Sequence, residues 1–210
     1  MKQTLLEAYL LKAKLDVNFI FVNWEKFSQS INYVSVRNRV ESIGVYLASM
    51  IDFMVKNHLV SIDDINLVGF SLGAHISGFA GKHVKSGKLP KIVGLDPAGP
   101  LFSLTKPQER LDREDAKYVE VIHTNGALLG FYDPIGTVDF YPNYGLEQPG
   151  CPWTSTDKCS HKRAFKYFAE SIYSPIQFYA YPCASIEDMN GGSCQGAEFP
   201  MGGEPGDYKA

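Results

Sequence analysis

The chain has 210 residues, of which 45% are hydrophobic and 13% aromatic, enough for one sizeable core or two small ones and too apolar to stay disordered throughout. Twenty Lys and Arg stand against 23 Asp and Glu, a formal charge of -3, so the basic footprint that a phosphate backbone demands is absent and no nucleic-acid partner is expected. The most apolar stretches, Val17–Trp24 and Ile65–Phe70, end within a few residues, far short of the roughly 20 that a membrane-spanning helix needs, which predicts a soluble or peripheral protein.

In chain order, Leu5, Ala8, Tyr9, Leu11 and Leu15 recur at helical spacing and predict a helix over Thr4–Lys14. Glu7, Lys12, Lys14 and Asp16 interrupt it and no small-residue cleavage site follows, so it does not read as a signal peptide. Val17–Val22 is rich in β-favouring residues and reads as a buried strand. Val36, Val40, Ile43, Leu47, Met50, Ile51 and Met54 share one face of a long helix over Val34–Lys56. A strand over Ile65–Val68, a helix over Leu72–Val84 and a strand over Lys91–Leu95 come next. Tyr118–His123 and Val138–Tyr141 read as further strands and Ser160–Ile172 as a last helix. Strands alternating with helices of this length predict a mostly parallel sheet flanked by helices. We read residues 1–210 as one domain with a loop-rich tail from about residue 175.

The most informative segment is Gly69-Phe70-Ser71-Leu72-Gly73, between a predicted strand and a predicted helix. In that context a G-x-S-x-G turn strains the serine backbone and exposes its hydroxyl at the carboxyl edge of a sheet, and the flanking glycines make room. Ser71 is the candidate nucleophile, and the backbone N–H of Leu72 is placed to face a developing oxyanion. A serine needs a base and an orienting acid, in the chain order Ser, acid, His for this architecture. Asp96 ends the next strand at the same edge, which favours it over Asp112, Asp115, Asp133 and Asp139. Of five histidines, His75 and His83 share the nucleophile's helix and read as packing or surface residues, and His58 lies in a polar loop. Spacing favours His161, which opens a helix beside Cys159, and leaves His123 as the alternative base.

All four cysteines lie beyond residue 150. Closing the two short loops, Cys151 with Cys159 and Cys183 with Cys194, is the simplest of three connectivities, and each bridge would stabilise by about 2–3 kcal/mol on a chain-entropy model. Such a set suits an oxidising compartment. The competing reading is four reduced core thiols; no C-x-x-C pair invites zinc, and no metal site is expected.

Gly69-Phe-Ser-Leu-Gly-Ala-His75, Gly94-Leu-Asp-Pro-Ala-Gly-Pro100, Val121-Ile-His-Thr-Asn125, Asp139-Phe-Tyr-Pro142 and Cys159-Ser-His-Lys-Arg-Ala164 resemble, in the same order and nearly end to end, the pancreatic-type lipases, and most of all their insect phospholipase A1 branch. The resemblance implies an α/β-hydrolase fold and a triad of Ser71, Asp96 and His161, and it places His123 in a strand motif outside the triad. It further implies a secreted enzyme with no cofactor, a glycerophospholipid or other glycerolipid substrate, a peripheral encounter with a lipid surface, and no identifiable protein partner. Only Pro152, Trp153, Thr154, Ser155, Thr156, Asp157 and Lys158 separate Cys151 from Cys159, and the stretch Asn125–Thr137 is short as well. A short lid and a short loop resemble the phospholipase A1 type, with Trp153 a candidate for insertion at an interface.

The resemblance also implies missing parts. Family members carry, upstream of the first helix, a strand ending in a His-Gly motif that completes the oxyanion hole and lies between the strands matching Val17–Trp24 and Ile65–Phe70. Loss of one oxyanion donor costs roughly 10² to 10³ in turnover. Two alternatives to a phospholipase A1 stand: a catalytically impaired lipid-binding or yolk-type storage protein, which the missing strand favours and the retained Ser71, Asp96 and His161 disfavour, and a triacylglycerol lipase, which the short lid rather than the triad sets apart.

Overall fold

The structure, a computed structural model, describes residues 1–13, 16–28, 32–126, 128–152 and 158–203. Helix α1 (Lys2–Leu6) widens into π-helical turns over Glu7–Lys12. After it come the short helices α2 (Glu25–Ser28) and α3 (Tyr33–Arg37) and the long α4 (Val40–Lys56). Strand β1 (Asn66–Phe70), helix α5 (Leu72–His83) and strand β2 (Lys91–Leu95) follow. Strands β3 (Tyr118–Ile122) and β4 (Val138–Phe140) then lead to helix α6 (Cys159–Tyr173).

The four strands form one parallel sheet in the order β1-β2-β3-β4. Phe70, Leu95, Ile122 and Phe140 stand side by side in register, so the residues immediately after them, Ser71, Asp96, His123 and Tyr141, share the carboxyl edge. Alternation along the strands sends Ile92, Val119 and Val121 to one face, where they pack with Val40, Ile43, Leu47 and Ile51 of α4 and Ile76 and Phe79 of α5. Val93, Leu95, Ile122 and Phe140 go to the other face, against Leu5 and Ala8 near the N-terminus and Ala164, Phe165 and Phe168 of α6. A parallel sheet covered on both faces has little room for polar side chains in its middle strand, and all five residues of β2 are buried.

Lys91 at the start of that strand is fully buried and pairs at 3.2 Å with Glu120 of β3. Glu120 also accepts the Gly202 N–H at 2.8 Å, which fastens the C-terminal segment to the sheet.

Three sequence expectations are corrected. Residues 16–24 join no sheet, and Val17 and Ile20 are 44% and 60% exposed. Such residues favour an extended backbone but become a strand only against a partner, and no described strand pairs with this run or with the outer edge of β1. The predicted helix Val34–Lys56 is broken by a turn at Asn38–Arg39. The segment after residue 175 is more regular than expected: strands β5 (Phe178–Ala180) and β6 (Phe199–Met201) pair antiparallel around helix α7 (Ile186–Gly191). Ser185 caps that helix, and the Cys183–Cys194 bridge closes across it.

Candidate active site

Ser71 occupies the one-residue bend between β1 and α5, with φ 57° and ψ -124°. That is a conformation L-residues avoid, at a cost of about 1–3 kcal/mol. The bend brings the chain so close to itself that a Cβ on Gly69 would be driven into the Gly73 carbonyl, which is why glycine stands there. The Ser71 N–H is held by the Leu95 carbonyl at 3.0 Å. Its hydroxyl has no hydrogen-bond partner among the described residues. Leu72 is the first residue of α5, so its N–H is one of the orphan donors at the positive end of a helix.

Asp96 follows β2 directly and is fully buried, also with positive φ (42°). Its Oδ1 accepts the backbone N–H groups of Thr124 at 2.7 Å and Asn125 at 3.1 Å, and its Oδ2 is hydrogen-bonded to His161 Nδ1. Gly130 packs flat against this carboxylate, and any Cβ there would meet its oxygens. His161 lies in the first turn of α6, its ring 4.5 Å from that of Phe70, the residue before Ser71. The Thr124 hydroxyl reaches the His161 carbonyl at 3.5 Å. The sheet and α6 thus bring Ser71, Asp96 and His161 to one edge, with Asp96 and His161 joined. A carboxylate bonded to Nδ1 fixes the imidazole with its other nitrogen free to take up and return a proton.

The competing groups are engaged elsewhere. His123 is fully buried, with Nδ1 at 2.6 Å from the Phe131 carbonyl and Nε2 at 2.9 Å from Asp139, and it stacks on Tyr141. Both ring nitrogens are taken up by these contacts, so neither is presented to a serine hydroxyl. His75 donates from Nε2 to the Ala98 carbonyl at 2.8 Å and accepts the Leu111 N–H at Nδ1 at 3.0 Å. Complete burial pushes its pKa down to about 3, so it is a neutral tie between α5 and two loops. Asp115 pairs with Lys82, and Asp112 caps the turn that carries Asp115.

Both expected disulfides are present, Cys151–Cys159 with Cα atoms 5.6 Å apart and Cys183–Cys194 at 4.6 Å. Of the expected lid, Pro152 and Lys158 are exposed, and Trp153, Thr154, Ser155, Thr156 and Asp157 lie outside the described residues. Among the described residues no cluster of His, Cys, Asp or Glu is placed to hold a metal ion, and no helix is long and apolar enough to cross a membrane. Sequence reasoning missed Thr124, Asn125, Gly130 and Gln148, whose roles depend on which loops meet at Asp96 and which residues gather around them.

The parallel sheet, its helix layers and the serine bend define an α/β-hydrolase fold. The family model described as Lipase matches residues 3–204, and the chain belongs to the lipase family. It is 41% identical over 202 residues to lipase member H of Oryctolagus cuniculus, covering 92% of this chain and 44% of that protein. Lipase member H of Rattus norvegicus is 40% identical over 184 residues, or 85% of this chain and 40% of that protein. Inactive pancreatic lipase-related protein 1 of Mus musculus is 39% identical over 201 residues, or 85% and 42%. The chain therefore spans less than half the length of these curated relatives.

Proposed function

We propose that the chain carries the catalytic apparatus of a secreted lipid carboxylic-ester hydrolase of phospholipase A1 type. The observation that carries this reading is the buried Asp96–His161 hydrogen bond at the same sheet edge as Ser71 in its strained bend. His161 takes the Ser71 proton as the serine oxygen adds to the ester carbonyl, and the Leu72 N–H faces the oxyanion. Collapse breaks the bond to the alcohol, which leaves with the proton from His161, and the acyl group remains on Ser71. Water, deprotonated by His161, then adds to the acyl carbonyl, and collapse breaks the bond to Ser71, which takes the proton back from His161 as the fatty acid leaves. Asp96 holds the ring and stabilises its cationic form.

The short segment between Cys151 and Cys159 and the short loop over 125–137 support a phospholipid substrate over a triacylglycerol, because less chain stands between the site and a polar headgroup. The two disulfides support an oxidising, extracellular address. A silent, lipid-binding role is the second reading, favoured by the relative whose name calls it inactive.

A serine-reactive phosphonate should label the chain, and Ser71→Ala should not be labelled; equal labelling sinks the nucleophile, and no labelling of either favours the silent reading. Phosphatidylcholine vesicles and triacylglycerol emulsions separate the two substrate classes.

A further inference from the structure

Gln148 lies in the loop between β4 and α6, only 2% exposed. Every polar valence of its side chain is filled. Nε2 donates to the carbonyls of Thr124 at 3.2 Å and Pro142 at 2.9 Å. Oε1 accepts from Asn143 Nδ2 at 2.9 Å and from the Tyr167 hydroxyl at 3.2 Å. Its backbone N–H donates to Ser160 Oγ at 3.0 Å, and its carbonyl accepts the Cys151 N–H at 3.1 Å. An amide with two donors and two acceptor lone pairs has nothing further to offer, so this side chain has one geometry.

Two of those partners touch the triad. Thr124 gives its N–H to Asp96 and its hydroxyl to the His161 carbonyl, and Ser160 directly precedes His161. The acid's donor loop and the base's helix come from chain segments that no strand ladder joins. Gln148 bridges them, gripping Thr124 with its side chain and Ser160 with its backbone. The Cys151–Cys159 bond closes the same bridge covalently from the other side.

We propose that Gln148 is a positioning residue that sets the Asp96–His161 geometry of the hydrolase described above, on which this proposal rests. It touches neither substrate nor reacting atoms. It acts by keeping the Thr124 amide against Asp96 while holding the first turn of α6, and with it His161, at a fixed distance from the sheet. A misplacement of about 1 Å remote from the chemistry costs about 10²-fold in rate.

The test uses the full chain with phosphonate labelling of Ser71, kcat and KM on a soluble ester, and the melting temperature. Gln148→Met keeps length and volume but removes all four side-chain bonds. It should label, and turn over, about 10²-fold more slowly with KM within about twofold, since the bound ester does not meet residue 148. Tyr167→Phe removes one bond on the side away from the triad; it should lower the melting temperature while labelling stays within about twofold, which a merely structural role for the network would not separate. Should Gln148→Met fail to fold, Ser160→Ala cuts the backbone arm alone and should slow labelling about tenfold. Parental labelling rates in folded Gln148→Met, or in Ser160→Ala if that variant replaces it, overturn the positioning role. With Ser71→Ala unlabelled, that result leaves the hydrolase reading intact, whereas labelling of Ser71→Ala at the parental rate overturns both.

Discussion

Asp96→Asn tests the reasoning about the site most directly, because the structure dictates which way the new amide must face. Oδ1 of Asp96 receives two backbone N–H groups, from Thr124 and Asn125, so only the carbonyl oxygen of an asparagine fits there. Its NH2 is then turned towards His161 Nδ1, which must accept rather than donate. The imidazole proton moves to Nε2, the nitrogen that should take the serine proton. A base presented in the wrong tautomer costs about 10⁴ in kcat, or about 5.4 kcal/mol at 1.36 per decade. Packing is unaffected, since the two side chains are isosteric and Asn is among the residues that best tolerate the positive φ of 42° at this position. The assay is the rate of phosphonate labelling, with melting temperature as the control and ¹⁵N histidine NMR to read the tautomer. Labelling within tenfold of the parent, or an Nδ1–H tautomer in a folded variant, would refute the argument.

Two further outcomes concern the scaffold. Glu120→Ala leaves the Lys91 ammonium buried without its carboxylate and should lower stability in urea by about 3–5 kcal/mol, while the double replacement Lys91→Met with Glu120→Leu should recover most of it; no loss in the single variant would show that the pair is solvated. His75 has a folded pKa of about 3 against 6.5 for a free side chain, so the unfolded chain takes up the proton first as pH falls. Its contribution is complete above pH 6.5 and drains away between there and pH 3, at up to about 1.4 kcal/mol per unit, and His75→Gln should flatten the stability–pH slope over that window by about one proton. Equal slopes in the two proteins would contradict it.

The placement of Ser71, Asp96 and His161 at one sheet edge is legible because each stands at an element boundary that local pattern reveals: the end of β1, the end of β2 and the start of α6. Their supports were not legible. Gly130 lies against Asp96 and Gln148 against Thr124 only because loops distant in sequence converge, and neither residue belongs to a periodic run. Val17–Val22 shows the opposite failure, since local preference suggested a strand where pairing decides. The antiparallel pair β5–β6 escaped because three residues are too few for an alternation to show. Spacing makes His75 a packing or surface residue, and nothing in it discloses the two hydrogen bonds that fix its tautomer.

The Cys151–Cys159 bond has a consequence for how such chains diversify. With the two Cα atoms held 5.6 Å apart, the segment between them is a closed loop whose ends do not report its length to the rest of the protein. Growing it from seven residues to about twenty adds only about 1 kcal/mol of closure entropy, and the added chain pulls on a covalent clasp rather than on Thr124 or His161. Loop length at this position can therefore drift or be grafted while the Asp96–His161 hydrogen bond stays where it is.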